Sequence, residues 1–283
     1  MKIGLVLSGG MAKGAYQIGA LRAVQEFIPP NEIEYYSCAS IGVLNGYAFA
    51  TGQLDKGAEM WHSLCNDDDR MIITRILRSN QLQQNISNLY VPGNDLNSHF
   101  YCSLLDMNTR NIVYKDLSKV KDETIARYLK ASVAMPVYNR AVKIDKASYF
   151  DGAMVDNIPV LPLVELDLDY IICIYFDENV YRFESPEFDE RVIKITFPSE
   201  NMLTQSIVFT KKNIDRMIDI GYERTKFILK SVMESGYQDV DSVLKYNRYL
   251  NRNAGEISLR VTGDMLVSNL NSVLKRLMSR KIR

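Results

Sequence analysis

Histidine is almost missing from this chain: His62 and His99 are the two present in 283 residues, and none follows His99. A mechanism that needs clustered imidazoles is therefore short of parts. Cysteine is also sparse. Cys38, Cys65, Cys102 and Cys173 are far apart, and no C-x-x-C pair occurs, so neither a zinc site nor a disulfide framework is indicated. A reducing compartment is the simplest reading. Net charge is absent as well, with 34 Lys plus Arg against 34 Asp plus Glu, which leaves no global steering toward nucleic acid; any basic surface would be local. Long apolar runs are lacking too. The opening MKIGLVLSGG holds too short a run for a signal peptide and falls far below the ~20 residues that span a bilayer. The expectation is a soluble or peripheral protein of the cytoplasm. What is plentiful is ordinary: 47% hydrophobic residues, as in globular proteins.

Ile3 to Leu7 reads as a buried strand that stops at Ser8-Gly9-Gly10. Ile18, Leu21, Val24 and Phe27/Ile28 then recur at helical spacing until Pro29-Pro30 ends the segment. Strand, glycine loop and helix form one unit. It repeats, with a strand over Tyr35 to Ala39, Ser40 at the turn, and a helix over Ile41 to Ala50 closed by Gly52. Further strands are expected at Phe100 to Leu105, Ile112 to Tyr114, Ala141 to Ile144 paired with Ser148 to Phe150 across Asp145-Lys146, Tyr170 to Phe176, and Val192 to Phe197. Alternating strands and helices with continuous apolar strands predict an α/β fold on a largely parallel sheet covered on both faces. One domain over residues 1–283 is expected, with its motifs in 3–165 and a C-terminal helical portion over 200–283. There Ser206 to Ser235 reads as helix, Gly221 marking an interruption, and Asp264 to Arg283 as an amphipathic segment with a basic end. Arg70 to Arg78 is either an amphipathic helix packed on the core or a lid or docking surface. The basic tail is either a solvated helix end or a contact for an anionic leaflet.

Two of these turns carry chemistry. In Ser8-Gly9-Gly10-Met11-Ala12-Lys13-Gly14, unpaired backbone N–H groups and a helix's positive end converge, which suits an anion. A P-loop would need Gly-Lys-Ser/Thr, whereas Gly14 is followed by Ala15-Tyr16, and the G-x-G-x-x-G spacing is absent. Cys38-Ala39-Ser40-Ile41-Gly42 is similar to a nucleophile elbow, in which a sharp strand-to-helix turn thrusts a hydroxyl outward. The same serine read alone is a helix N-cap. A hydroxyl nucleophile needs a base. His62 and His99 read as packing or surface residues, which leaves a carboxylate. Asp151-Gly152-Ala153 puts an acid at a strand end beside small residues, although an Asp-Gly pair by itself reads as a plain turn.

Together, LSGGMAKGAYQIGAL, CASIG and FDGAMVDNIPV, with Ala131 to Pro136 before the acid, resemble the patatin-like phospholipase family over roughly residues 3–165. The resemblance implies a three-layer α/β/α fold with a largely parallel central sheet. It implies a Ser-Asp dyad without histidine, with Ser40 as nucleophile and Asp151 as base. The oxyanion-hole motif falls on Gly9, Gly10, Met11, Ala12, Lys13 and Gly14. Backbone N–H groups of Gly9 to Ala12 would hold the oxyanion, and Lys13 would either pair with a substrate phosphate or stay solvated. The implied activity is lipid acyl hydrolysis of the phospholipase A or lysophospholipase kind, needing no metal or organic cofactor, on a lipid substrate met by peripheral membrane contact. Met11 stands where the family has a third glycine and Cys38 where the elbow begins with glycine. These departures open a second reading, a homologue that binds acyl chains or lipid surfaces without turnover.

Overall fold

The computed structural model describes residues 1–65, 71–72, 80–93, 96–136, 138–177, 180–197, 208–251 and 258–259. The strands are β1 (Ile3–Leu7), β2 (Ile33–Cys38), β3 (Met71–Ile72), β4 (His99–Asp106), β5 (Ile112–Asp116), β6 (Val142–Ile144), β7 (Ala147–Asp151), β8 (Tyr170–Tyr175), β9 (Arg182–Phe183), β10 (Val192–Thr196), β11 (Val208–Phe209) and β12 (Ser258–Leu259). Eight of them form one sheet in the order β10-β8-β1-β2-β4-β7-β6, with β5 also paired to β4. Every pairing from β10 through β4 is parallel. Those involving β5, β6 and β7 are antiparallel.

Side chains alternate across this sheet as the strand period requires. In β8, Tyr170, Ile172 and Ile174 join one apolar cluster, and Ile171, Cys173 and Tyr175 join the other. Helices cover the first face: α1 (Gly14–Phe27), α2 (Ile41–Ala50), α3 (Leu54–Ser63), α4 (Asn80–Leu89), α5 (Asp122–Ser132) and, further on, α8 (Lys211–Val232). The short α6 (Leu161–Val164) and α7 (Pro186–Glu190) supply Leu163 and Phe188 to the second. A final helix, α9, runs Val240–Asn251. The expected α/β fold with a mostly parallel central sheet is therefore present. Burial on both faces explains why β1 and β8 read as unbroken apolar runs; in β10 the run is interrupted by Lys194, whose ammonium pairs with Asp189 at 2.6 Å.

Three expectations change. Helix α8 runs through Gly221 without a break, because that glycine serves packing instead. A methyl at Gly221 would lie 2.1 Å from the Tyr16 carbonyl oxygen, and one at Gly19 would lie 1.8 Å from that of Ile218. Each helix thus presents a glycine to the other's backbone, and the two main chains touch. Gly221→Ala should lower stability by roughly 2 kcal/mol through overpacking, outweighing the ~1 kcal/mol that alanine offers a helix interior. Urea unfolding midpoints decide the sign. Likewise, Met71 and Ile72, inside the stretch read as a helix or as a lid or docking surface, are strand, paired antiparallel with β11, and β11 itself, Val208–Phe209, lies in the stretch from Ser206 read as helix. The rest of 70–78 and the whole of 264–283 lie outside the described residues. Among the described residues no helix is long and apolar enough to cross a membrane.

Candidate active site

Strand β4 brings the two halves of the site together. Its residues 99–102 pair with β2, its residues 104–106 pair with β7, and β5 occupies the opposite edge. Strands β2 and β7 therefore share one edge and run toward each other, with Cys38 opposite Cys102 and Asp151 opposite Leu104. The chain leaving β7 must pass tightly over β4: a methyl at Gly152 would lie 2.5 Å from Leu104 N. Ser40, two residues past the end of β2, meets Asp151 in the gap. Its Oγ donates to Asp151 Oδ2 at 2.6 Å.

The elbow is built as the small residues suggest. Ser40 occupies the N-cap of α2 with φ 52° and ψ −128°, and its side chain makes no cap hydrogen bond. That backbone conformation costs a non-glycine residue on the order of 1–3 kcal/mol, and it frees the hydroxyl for the carboxylate. Gly42 admits the strand beneath, since a methyl there would lie 2.6 Å from the Leu7 carbonyl oxygen. Cys38 is fully buried, and burial pushes its thiol well above the ordinary range, so it acts as a small apolar wedge under the turn. Helix α2 is apolar on all sides apart from Asn45 and is buried accordingly.

Asp151 is 3% exposed. Burial raises its pKa to about 7, against the opposing pull of hydrogen bonds from Ser40 and from Ala153 N. The Ala153 N–H reaches Oδ1 at 2.9 Å. One carboxyl thus both shapes the Asp-Gly turn and receives the serine hydroxyl.

The glycine loop lies against this pair. A methyl at Gly9 would sit 3.0 Å from Ser40 Cβ and 2.5 Å from Asn157 Oδ1, and one at Gly10 would strike the Phe176 ring at 2.3 Å. Gly9 N–H donates to the Asn157 carbonyl at 3.2 Å, so it faces away from any oxyanion. Among the described residues no acceptor meets the N–H groups of Gly10, Met11 and Ala12. Met11 has φ 51°, the left-handed region where glycine is cheapest. Lys13 is partly buried, its Nζ 5.5 Å from the Phe176 ring centroid. Burial lowers its pKa to about 8, with Asp177 opposing.

The histidines are engaged elsewhere. His62 Nε2 pairs with Asp215 at 2.9 Å, and His99 Nδ1 with Asp116 at 2.8 Å. His99 stands opposite Tyr35, well before the end of β2 that leads to Ser40. Among the described residues no group of three or more His, Cys, Asp or Glu could hold a metal ion. Sequence reading overlooked Phe176 and Asn157, which fix the loop, and a buried group formed by Gln17, Asn45 and Trp61. For the last there was a signal, since Asn45 is the one non-apolar side chain in the run from Ile41 to Ala50, and a buried amide must find partners.

Comparison with known proteins identifies the family. A family model described as patatin-like phospholipase matches residues 5–164, just over half of the chain. Among solved structures, VipD from Legionella pneumophila is similar at 13% identity and a TM-score of 0.49, over 81% of this chain and 66% of that one. The type III effector protein ExoU is similar at 13% identity and a TM-score of 0.41, over 98% of this chain and 62% of that one. ExoU from the type III secretion system of Pseudomonas aeruginosa, in complex with SpcU, gives 14% and 0.38, over 88% and 59%. The chain spans less than two thirds of each of these proteins.

Proposed function

The chain belongs to the patatin-like phospholipase family, and from that premise we propose that it is a serine lipid acyl hydrolase working through Ser40 and Asp151. The 2.6 Å hydrogen bond from Ser40 Oγ to the buried Asp151 carboxyl is the observation that carries this reading. Asp151 Oδ2 takes the hydroxyl proton as Oγ attacks the ester carbonyl carbon. It then returns the proton to the departing alcohol, leaving an acyl group on Ser40. A water molecule, deprotonated by the same carboxylate, releases the fatty acid and restores the serine. Negative charge on the carbonyl oxygen falls to the N–H groups of Gly10, Met11 and Ala12, aided by the positive end of α1. Lys13, in the same loop and partly buried near Phe176, is the cation we assign to a substrate phosphate.

A carboxylate suits the task because its pKa of about 7 lies near neutral pH, where proton transfer in both directions is efficient. The direct test is covalent labelling with a fluorophosphonate followed by peptide mass mapping. One adduct, on the peptide holding Ser40, is expected; an intact protein that takes up no probe would leave the non-catalytic lipid binder as the surviving reading.

Met11 bears on the same point. Its backbone already adopts the conformation glycine would choose, so the N–H groups stand where a glycine would put them. Met11→Gly should therefore keep kcat on a soluble short-chain ester within about threefold of wild type, far from the ~10²-fold effect of a lost oxyanion donor. Binding of long acyl chains should weaken, because the partly buried thioether joins the apolar cluster beside the loop. A tenfold or larger gain in kcat would mean instead that the side chain misdirects the donors.

A further inference from the structure

A chain of buried side-chain amides runs from α3 to the glycine loop, and its direction is fixed at one end. Trp61 Nε1 can only donate, and it donates to Asn45 Oδ1 at 3.0 Å. The Asn45 amide nitrogen must then face the other way, where its two protons go to the Gly14 carbonyl and to Gln17 Oε1, both at 2.9 Å. The same logic turns the Gln17 amide nitrogen to the Ser8 carbonyl at 2.8 Å. Ser8 and Gly14 are the two ends of the loop that contains Gly10, Met11 and Ala12. Gly14 is pinned a second time, since a methyl on it would meet both the Trp61 ring at 2.7 Å and Ile41 at 2.8 Å. Asn45 and Ile41 both belong to α2, the helix that begins at Ser40.

We infer that Gln17, Asn45 and Trp61 are positioning residues that hold the loop N–H groups in register with Ser40, a role that rests on the hydrolase reading above. Their hydrogen bonds fix both ends of the loop to the nucleophile's own helix, so the donors and the hydroxyl move together. None of the three touches Ser40 or Asp151 through these bonds, and the base is left alone.

The experiment compares wild type with Gln17→Met, which frees the Ser8 end, and Trp61→Phe, which deletes one N–H, keeps an aromatic ring and lets the Asn45 amide turn. Active sites are first counted by fluorophosphonate labelling to completion, and turnover of a soluble ester is expressed per labelled site. Each variant should lose at least about tenfold in kcat, hold KM within about twofold, and keep the pH midpoint of kcat/KM unmoved. A merely structural role would lower the labelled fraction and the melting temperature while leaving turnover per labelled site intact, and that result would overturn the inference. Should Gln17→Met fail to fold, Trp61→Phe decides alone. Absence of labelling in wild type would defeat the hydrolase reading itself, whereas an active wild type with unimpaired variants defeats only the positioning role.

Discussion

Alanine in place of Ser40 should leave less than ~1% of wild-type hydrolysis on p-nitrophenyl esters and on phospholipid vesicles alike, the scale of loss seen when a nucleophile is removed from a unit that acts together. The reason is spatial. Ser40 is the residue at the elbow, with its hydroxyl 2.6 Å from the Asp151 carboxyl, and the hydroxyl-bearing neighbours cannot replace it. Ser8 and Ser103 are fully buried, and Ser37 is committed to the Pro159 carbonyl from inside the sheet. The fold should survive, because alanine meets the same positive-φ cost as serine at this turn. The Asp151 carboxyl loses one hydrogen bond but keeps the one from Ala153 N. Fluorophosphonate uptake must vanish along with turnover. Retention of more than a few per cent of activity in a variant that melts normally would place the nucleophile elsewhere.

The pieces of the site were legible in the sequence, and their assembly was not. The run Ile3 to Leu7, the hairpin across Asp145-Lys146, the elbow and the acid each announce themselves through local chemistry: apolar continuity, turn residues, small flanking side chains. What joins Ser40 to Asp151 is the way two strands divide one edge of β4 between them, and no residue near either position encodes that register. The same holds for Gly221. Its neighbours read as a helix with a flaw, and the reason for a glycine lies on Tyr16, 205 positions away in the chain. Gly9 is a finer case. The motif treats its N–H as a donor to substrate, but the Asn157 carbonyl takes it, and Gly9 is there for close approach. Met11 shows the converse, a departure from the glycine pattern whose backbone keeps the left-handed turn. Ser40 does hold an N-cap position and Asp151 does shape an Asp-Gly turn, and beyond those structural positions the two side chains meet in one hydrogen bond.

The largest effect after loss of the nucleophile is expected at Asp151, and it should appear in rate and stability with opposite signs. The base must be ionised to accept a proton, so kcat/KM on an uncharged ester should climb with pH and level off above about 7, the value to which burial raises this carboxyl. An imidazole near its ordinary ~6.5 would give a similar curve. The variant carrying both His62→Gln and His99→Gln separates the two, since it should keep the same midpoint if the carboxylate is the base. Asp151→Asn cannot accept the serine proton and should lose roughly 10²–10⁴-fold in kcat/KM, the usual worth of a general base. Stability goes the other way. An unfolded aspartate titrates near ~3.9, so between about pH 4 and 7 the folded chain holds a proton that the unfolded chain has given up, and stability from this group declines as pH rises. Above about 7 the folded protein bears the full cost of a buried carboxylate, which the neutral asparagine does not. The melting temperature of Asp151→Asn should therefore exceed that of wild type by more at pH 8 than at pH 5. An advantage that does not change with pH, or a wild-type rate profile flat through 7, would mean that this carboxyl does not titrate where its burial puts it, and the role of base would have to pass to another group.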